Sequence, residues 1–175
     1  STGLSAIRLS PLGALTFSAA LPINDQPVDE TPVDPPVSDP DAASQIIDNG
    51  GAGFTQDGFT YVSNQQVAGA MEGDVHMIRQ AAGTARWQFT NLESGEYRIA
   101  TTWAGKYDNK YNASDAPYTV RDAAGNTLAQ TLVDQSGVPA DFEDAGISWH
   151  AIGTVTIADA TLTVTLSEGT NANRY

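Results

Sequence analysis

From Gln45 onward the chain repeats one pattern: short runs in which apolar and polar residues alternate, separated by turn-forming residues. Ala85-Arg86-Trp87-Gln88-Phe89 puts Trp87 and Phe89 on one side, and the run from Glu96 to Ala104 does the same for Tyr97, Ile99, Thr101 and Trp103. Period-two alternation over five to nine residues is the mark of a half-buried strand, because successive side chains leave a strand on opposite faces. Further strands are expected at Ile46–Asp48, Phe59–Val62, His76–Gln80, Pro117–Arg121, Thr127–Val133, Trp149–Ile157 and Ala160–Leu166. Asp122-Ala123-Ala124-Gly125-Asn126 reads as the turn of a hairpin. The last two runs read as a second pair, joined near Ala158-Asp159. No long segment has helical periodicity. Regular short strands with turn signals between them predict an all-β fold, a β-sandwich of the jelly-roll kind.

The N-terminal residues carry the same signal. Leu4-Ser5-Ala6-Ile7-Arg8-Leu9 alternates and offers Leu4, Ala6 or Ile7, and Leu9 to a core. Leu15–Ala19 alternates again after the Pro11-Leu12-Gly13 break and is expected to continue as a strand. The far end, Asn171–Tyr175, follows a strong strand and a turn, where one more strand is expected. The first nine residues are expected to supply that strand, as a donor to another copy or, if the linker folds back, to their own domain.

Between the two parts lies Pro22–Pro40, which holds six of the nine prolines together with Asp25, Asp29, Glu30, Asp34 and Asp39. No Lys or Arg occurs between Arg8 and Arg79. Proline fixes φ and removes backbone donors, and the like charges repel, so an extended, semi-rigid linker is expected. In the polyproline conformation, at about 3.1 Å per residue, it reaches roughly 60 Å. The expected organisation is an N-terminal extension over 1–21, an acidic Pro-rich linker over 22–44 and a β-sandwich domain over 45–175.

Charge narrows the partners. There are 21 acidic residues against 8 Lys and Arg, a net charge of −13. Such a field repels nucleic-acid phosphates and anionic membranes. No stretch has the apolar length of a membrane helix, so neither nucleic acid nor membrane insertion is expected. Without cysteine a secreted domain holds together by its core or its neighbours.

Catalytic signals are sparse. His76 and His150 are the only histidines, there is no cysteine, and no metal-ligand spacing or serine motif is present. Gly50-Gly51-Ala52-Gly53 lacks the Lys and following helix of a phosphate loop and reads as a turn. No enzyme activity and no cofactor are expected. A structural calcium ion is compatible with so many carboxylates, and Asp48, Asp57, Asp74, Asp141, Glu143 and Asp144 lie in or near turns, but no EF-hand loop is present and the pattern designates no ligand set. The candidate ligand-binding stretch is Trp103 to Asp115, where Trp103, Tyr107 and Tyr111 stand with Asp108 and Asn112. Aromatic faces and amides of this kind stack on sugars and hydrogen-bond their hydroxyls. The competing reading packs Trp103 inside and uses the tyrosines at a contact between subunits. Trp87 and Trp149 are expected in the core.

Residues 46–175 resemble the golvesin C-terminal-like domain, found beside xanthan lyase-type enzymes and repeated in very large secreted bacterial proteins. The resemblance rests on Ile46-Ile47-Asp48-Asn49-Gly50 with Gly53-Phe54, on Ala85–Phe89, on Gly95–Ile99 with Trp103, on Ala116–Val120, on Phe142–Trp149 and on Leu162–Leu166. It implies an extracellular, cell-surface, non-catalytic sandwich of galactose-binding-like architecture. In that family a strand follows the position where this chain has Asn171–Tyr175, and Ser5-Ala6-Ile7-Arg8-Leu9 resembles its second half. Two functions are therefore expected to compete. One is a filament or surface-array subunit whose partners are other copies of itself. The other is an adhesion module that binds polysaccharide.

Overall fold

A computed structural model describes residues 2–12, 43–63, 70–78, 82–104 and 112–168. The described residues are all-β. Thirteen strands run in chain order: β1 (Thr2–Leu4), β2 (Ala6–Pro11), β3 (Gln45–Asp48), β4 (Phe54–Asp57), β5 (Thr60–Ser63), β6 (Asp74–Ile78), β7 (Thr84–Phe89), β8 (Gly95–Thr102), β9 (Ala116–Asp122), β10 (Thr127–Val133), β11 (Phe142–Asp144), β12 (Ile147–Ile157) and β13 (Leu162–Ser167). Two antiparallel five-stranded sheets, ordered β10-β9-β13-β7-β4 and β11-β12-β8-β2-β3, make a β-sandwich. A smaller sheet, β1-β6-β5, adjoins them. Among the described residues no helix is long and apolar enough to cross a membrane.

Alternation places the core. β7 reads exposed–buried throughout, so Ala85, Trp87 and Phe89 face inward while Thr84, Arg86 and Gln88 face water. β13 repeats the pattern with Leu162, Val164 and Leu166. The opposing sheet contributes Ile7, Leu9, Tyr97, Ile99, Val155 and Ile157 to the same apolar cluster. Trp87 and Trp149 are buried, at 0% and 1% exposure. Trp87 lies in the main core, whereas Trp149 packs with Ala6 and Ala100 on the other face of its sheet.

The Asp122–Asn126 hairpin forms as read. Gly125 takes the left-handed conformation (φ 86°), and both carboxylate oxygens of Asp122 accept hydrogen bonds from Asn126. The Gly50–Gly53 segment is a turn. Gly53 has φ 92°, and a Cβ there would lie 2.7 Å from the Gln88 carbonyl oxygen. That close approach is what lets β4 lie against β7.

One pairing differs from the sequence reading. β12 and β13 do not form a hairpin: β12 pairs with β8, while β13 pairs with β7 and β9 in the other sheet. The Ala158-Asp159 connection crosses between sheets because both strands carry an apolar face. Each can bury that face against the other across the sandwich without sharing a ladder. The Leu15–Ala19 strand, linker residues 22–42 and Asn171–Tyr175 lie outside the described residues.

Candidate functional site: the seat of the N-terminal strand

β2 is an interior strand. It pairs with β8 through six residues, from Ala6↔Thr102 to Pro11↔Tyr97, and with β3 from Ala6↔Asp48 to Leu9↔Gln45. The Leu12 N–H extends the ladder to the Glu96 carbonyl at 2.8 Å. Ile7 and Leu9 point into the sandwich with 0% and 1% exposure. Ala6 and Arg8 take the opposite face, where Ala6 packs with Ala100 and Trp149. Of the four apolar residues expected in the strand, Leu4, Ile7 and Leu9 enter the main core. Ala6 belongs to the outer cluster.

That division comes from a bend at Ser5. β1 pairs with β6 in the small sheet, and the chain then switches to β2 in the large one. The switch lets Leu4 and Ile7, three residues apart, reach one core. The bend is held by polar contacts. The Ser5 N–H donates to the Thr102 carbonyl (3.2 Å), and the Ser5 carbonyl accepts from the Asn49 N–H (2.7 Å). Ser5 Oγ accepts from the Met71 N–H (3.1 Å) and donates to the Asp74 carbonyl (3.4 Å). Asn49 Nδ2 donates to the carbonyls of Leu4 and Asp74, both at 3.3 Å. Its Oδ1 therefore faces His76 Nδ1 at 3.0 Å, and the imidazole carries its proton on that nitrogen. Ser5 and Asn49 are 0% and 3% exposed, so these groups need partners.

A second chain of hydrogen bonds ends on β2 from within the core. Gln135 Nε2 donates to the Tyr118 hydroxyl (3.1 Å), which lies 3.0 Å from Thr101 Oγ1. Thr101 Oγ1 in turn donates to the Ala6 carbonyl (3.4 Å). Tyr118 is fully buried, and burial raises its pKa above the ordinary phenol range, so it acts only as a neutral hydroxyl. On the outer face Arg8 pairs with Asp144, donates to Ser10 and Ser44, and stacks over Phe142 and Trp149 with centroid distances of 5.9 and 6.0 Å. The strand is thus fixed by both neighbouring ladders, by the core and by side chains on both faces.

The aromatic stretch is placed differently from a sugar platform. Trp103 is 3% exposed, and its Nε1 donates to the Gly137 carbonyl at 2.8 Å. Its ring meets His150 edge-on at 5.6 Å. Neither face is open for stacking, which corrects its reading as a binding aromatic: the apolar phase of β8 continues through Trp103 into the core. Asn112 is also buried, at 2%. Tyr107, Asp108 and Tyr111 lie outside the described residues.

The histidines are separate. Burial lowers the pKa of His76, whose ring packs against Phe54 at 5.3 Å. His150 Nδ1 lies 3.0 Å from Asp141 Oδ2, which also accepts from the Ala151 N–H. Among the described residues no group of three or more His, Asp or Glu side chains is placed to hold a metal ion. The Ser5–Asn49–His76 clip was missed at the sequence level. A buried Asn at a turn beside a strand His was its one visible trace. No protein-family model, curated protein or solved structure matches the chain.

Proposed function

We propose that this protein is a non-enzymatic structural subunit that assembles with copies of itself by exchanging the N-terminal strand. One observation carries the reading: β2 is an interior strand of a five-stranded sheet, with Ile7 and Leu9 buried, yet it precedes β3 by a long acidic Pro-rich segment. An interior strand cannot leave without exposing two rows of backbone groups and an apolar groove. It can be replaced by the same strand from a neighbour at no loss of contacts, since the replaced ladder is identical. The balance between own and neighbour's strand then depends on effective concentration. A short flexible linker gives about millimolar local concentration, and one that self-repels and extends gives less.

A strand passed from each subunit to the next makes a contact that does not close on itself, and such contacts build filaments. The resemblance to golvesin-like domains, with its extracellular, jelly-roll implication, belongs to the same reading. The acidic surface suits it too, since a high net charge keeps subunits apart until the specific strand is seated.

The test compares the intact protein with one beginning at Pro22, by mass photometry and electron microscopy over a range of concentrations. Concentration-dependent ladders or filaments from the intact chain, absent from the shortened one, support the reading. A peptide of residues 1–12 added to the shortened chain checks that its sheet can still be completed. An intact chain that stays monomeric at every concentration overturns the reading.

A further inference from the structure

The bend at Ser5 gathers acidic groups from three elements: Asp48 at the end of β3, Glu72 in the turn before β6, and Asp74 at the start of β6. Asp48 Oδ1 and Asp74 Oδ1 are both shielded from water and meet no hydrogen-bond donor. For Asp48, burial of this kind disfavours the charged form. Both residues also belong to the clip itself. Asp48 stands opposite Ala6 in the ladder and precedes Asn49, whose N–H holds the Ser5 carbonyl. The Asp74 carbonyl receives Ser5 Oγ and Asn49 Nδ2. Glu72 is held in the left-handed region, at φ 48°, a conformation that costs a non-glycine residue some strain.

Among the described residues no ion pair involves this cluster. The basic residue of β2, Arg8, pairs with Asp144 of β11, at the other edge of the sheet. The facing end of β8 presents Thr101 and Thr102. His76 on β6, whose pKa burial lowers, sits against Asn49 and Phe54.

We propose that Asp48 is a proton-controlled latch on the N-terminal strand: with its carboxyl protonated the bend closes over residues 4–7, and with it charged beside Asp74 and Glu72 the bend loosens and releases β1 and β2. The latch concerns the seat of the strand, and it operates whether that seat is in the strand's own chain or in a neighbour.

The direction of the pH dependence follows. Burial, opposed by the Asn49 N–H and reinforced by the charges of Asp74 and Glu72, raises Asp48 from 3.8 to about 7. An acid whose pKa is higher in the closed form binds its proton more tightly there. It therefore favours closure most at low pH, and this contribution is lost as pH rises from about 4 through about 7. His76 runs the other way. Its pKa is lowered by burial, so proton uptake favours opening as pH falls below its ordinary 6.5. The latch is tightest at mildly acidic pH and loosest above about pH 7.5.

The test is hydrogen exchange over residues 4–11 of the intact protein and of Asp48→Asn, compared at the same pH so that intrinsic exchange chemistry cancels. The wild-type rate divided by the variant rate is expected to rise about tenfold or more between pH 5 and pH 8. His76 is common to both proteins and drops out of the ratio. A ratio constant within about twofold overturns the proposal. If Asp48→Asn does not fold, the carboxyl ¹³C titration of Asp48 in the wild-type protein decides instead. A midpoint near 7 supports the latch, and one in the ordinary carboxylate range overturns it.

Discussion

Arg8 of β2 reaches across the outer face of its sheet to pair with Asp144 of β11, at the opposite edge. The guanidinium also covers Phe142 and Trp149. A single side chain of the N-terminal strand thus ties β11 to the sheet. The side chains are 14% and 47% exposed, so the charge pair itself is worth at most about 1 kcal/mol, and stacking on two aromatics adds roughly 0.5–1 kcal/mol. Arg8→Ala is expected to lower unfolding stability by about 1–2 kcal/mol. Asp144→Asn is expected to cost less, with an effect that shrinks at high salt. Equal losses from the two variants in urea titrations would show that the aromatic contacts contribute nothing.

Ile7 measures how much of the core depends on the N-terminal strand. It is 0% exposed and packs in the central cluster. Ile7→Ala is expected to cost about 2–5 kcal/mol by loss of transfer energy and the cavity left behind. Leu132→Ala, on the edge strand β10 and 67% exposed, is expected to change stability by less than about 0.5 kcal/mol. Urea midpoints of the two variants make the comparison. Similar midpoints would mean that the strand is not a core element in solution.

The Tyr118 hydroxyl joins Gln135 to Thr101 and, through it, to the Ala6 carbonyl. Tyr118→Phe keeps the ring and removes one hydrogen bond each from Gln135 and Thr101 inside the core. The expected loss is about 1–3 kcal/mol, read by thermal or urea unfolding, together with faster hydrogen exchange in β2 than in β10. A loss spread evenly over both strands would contradict the link to β2.

The sandwich was legible because its inner strands obey one period. Trp87 and Phe89, Tyr97 and Ile99, and Leu162 through Leu166 each follow strict alternation and each faces the core. What the sequence hid has physical causes. β4 (Phe54–Asp57) and β11 (Phe142–Asp144) are short, mostly polar edge strands with no second apolar residue to set a period. The bend at Ser5 left only a break in period, since Leu4 and Ala6 have one parity and Ile7 and Leu9 the other, and in so short a run that break does not say that the strand changes sheets. A switch between sheets leaves no mark in composition. The Ala158-Asp159 connection looks like a hairpin turn, but a turn's residues do not say whether the next strand pairs or crosses. Trp103 could not be placed because its phase belongs to β8 while the polar and aromatic residues that follow it in sequence carry no strand period.

The central claim is that the strand seated beside β8 can come from another copy, and the ladder offers a direct trap. Ser10 and Arg98 are register partners on β2 and β8, and the chain has no cysteine of its own. Directly opposed residues in a ladder bring Cα atoms within about 4.5–5.5 Å, inside the range a disulfide spans. A mixture of Ser10→Cys and Arg98→Cys chains, incubated at assembly concentration and then oxidised, is read by intact mass. The account predicts a covalent dimer containing one chain of each kind. No mixed dimer, with a monomeric internal disulfide in the Ser10→Cys/Arg98→Cys double variant at every concentration, would contradict it.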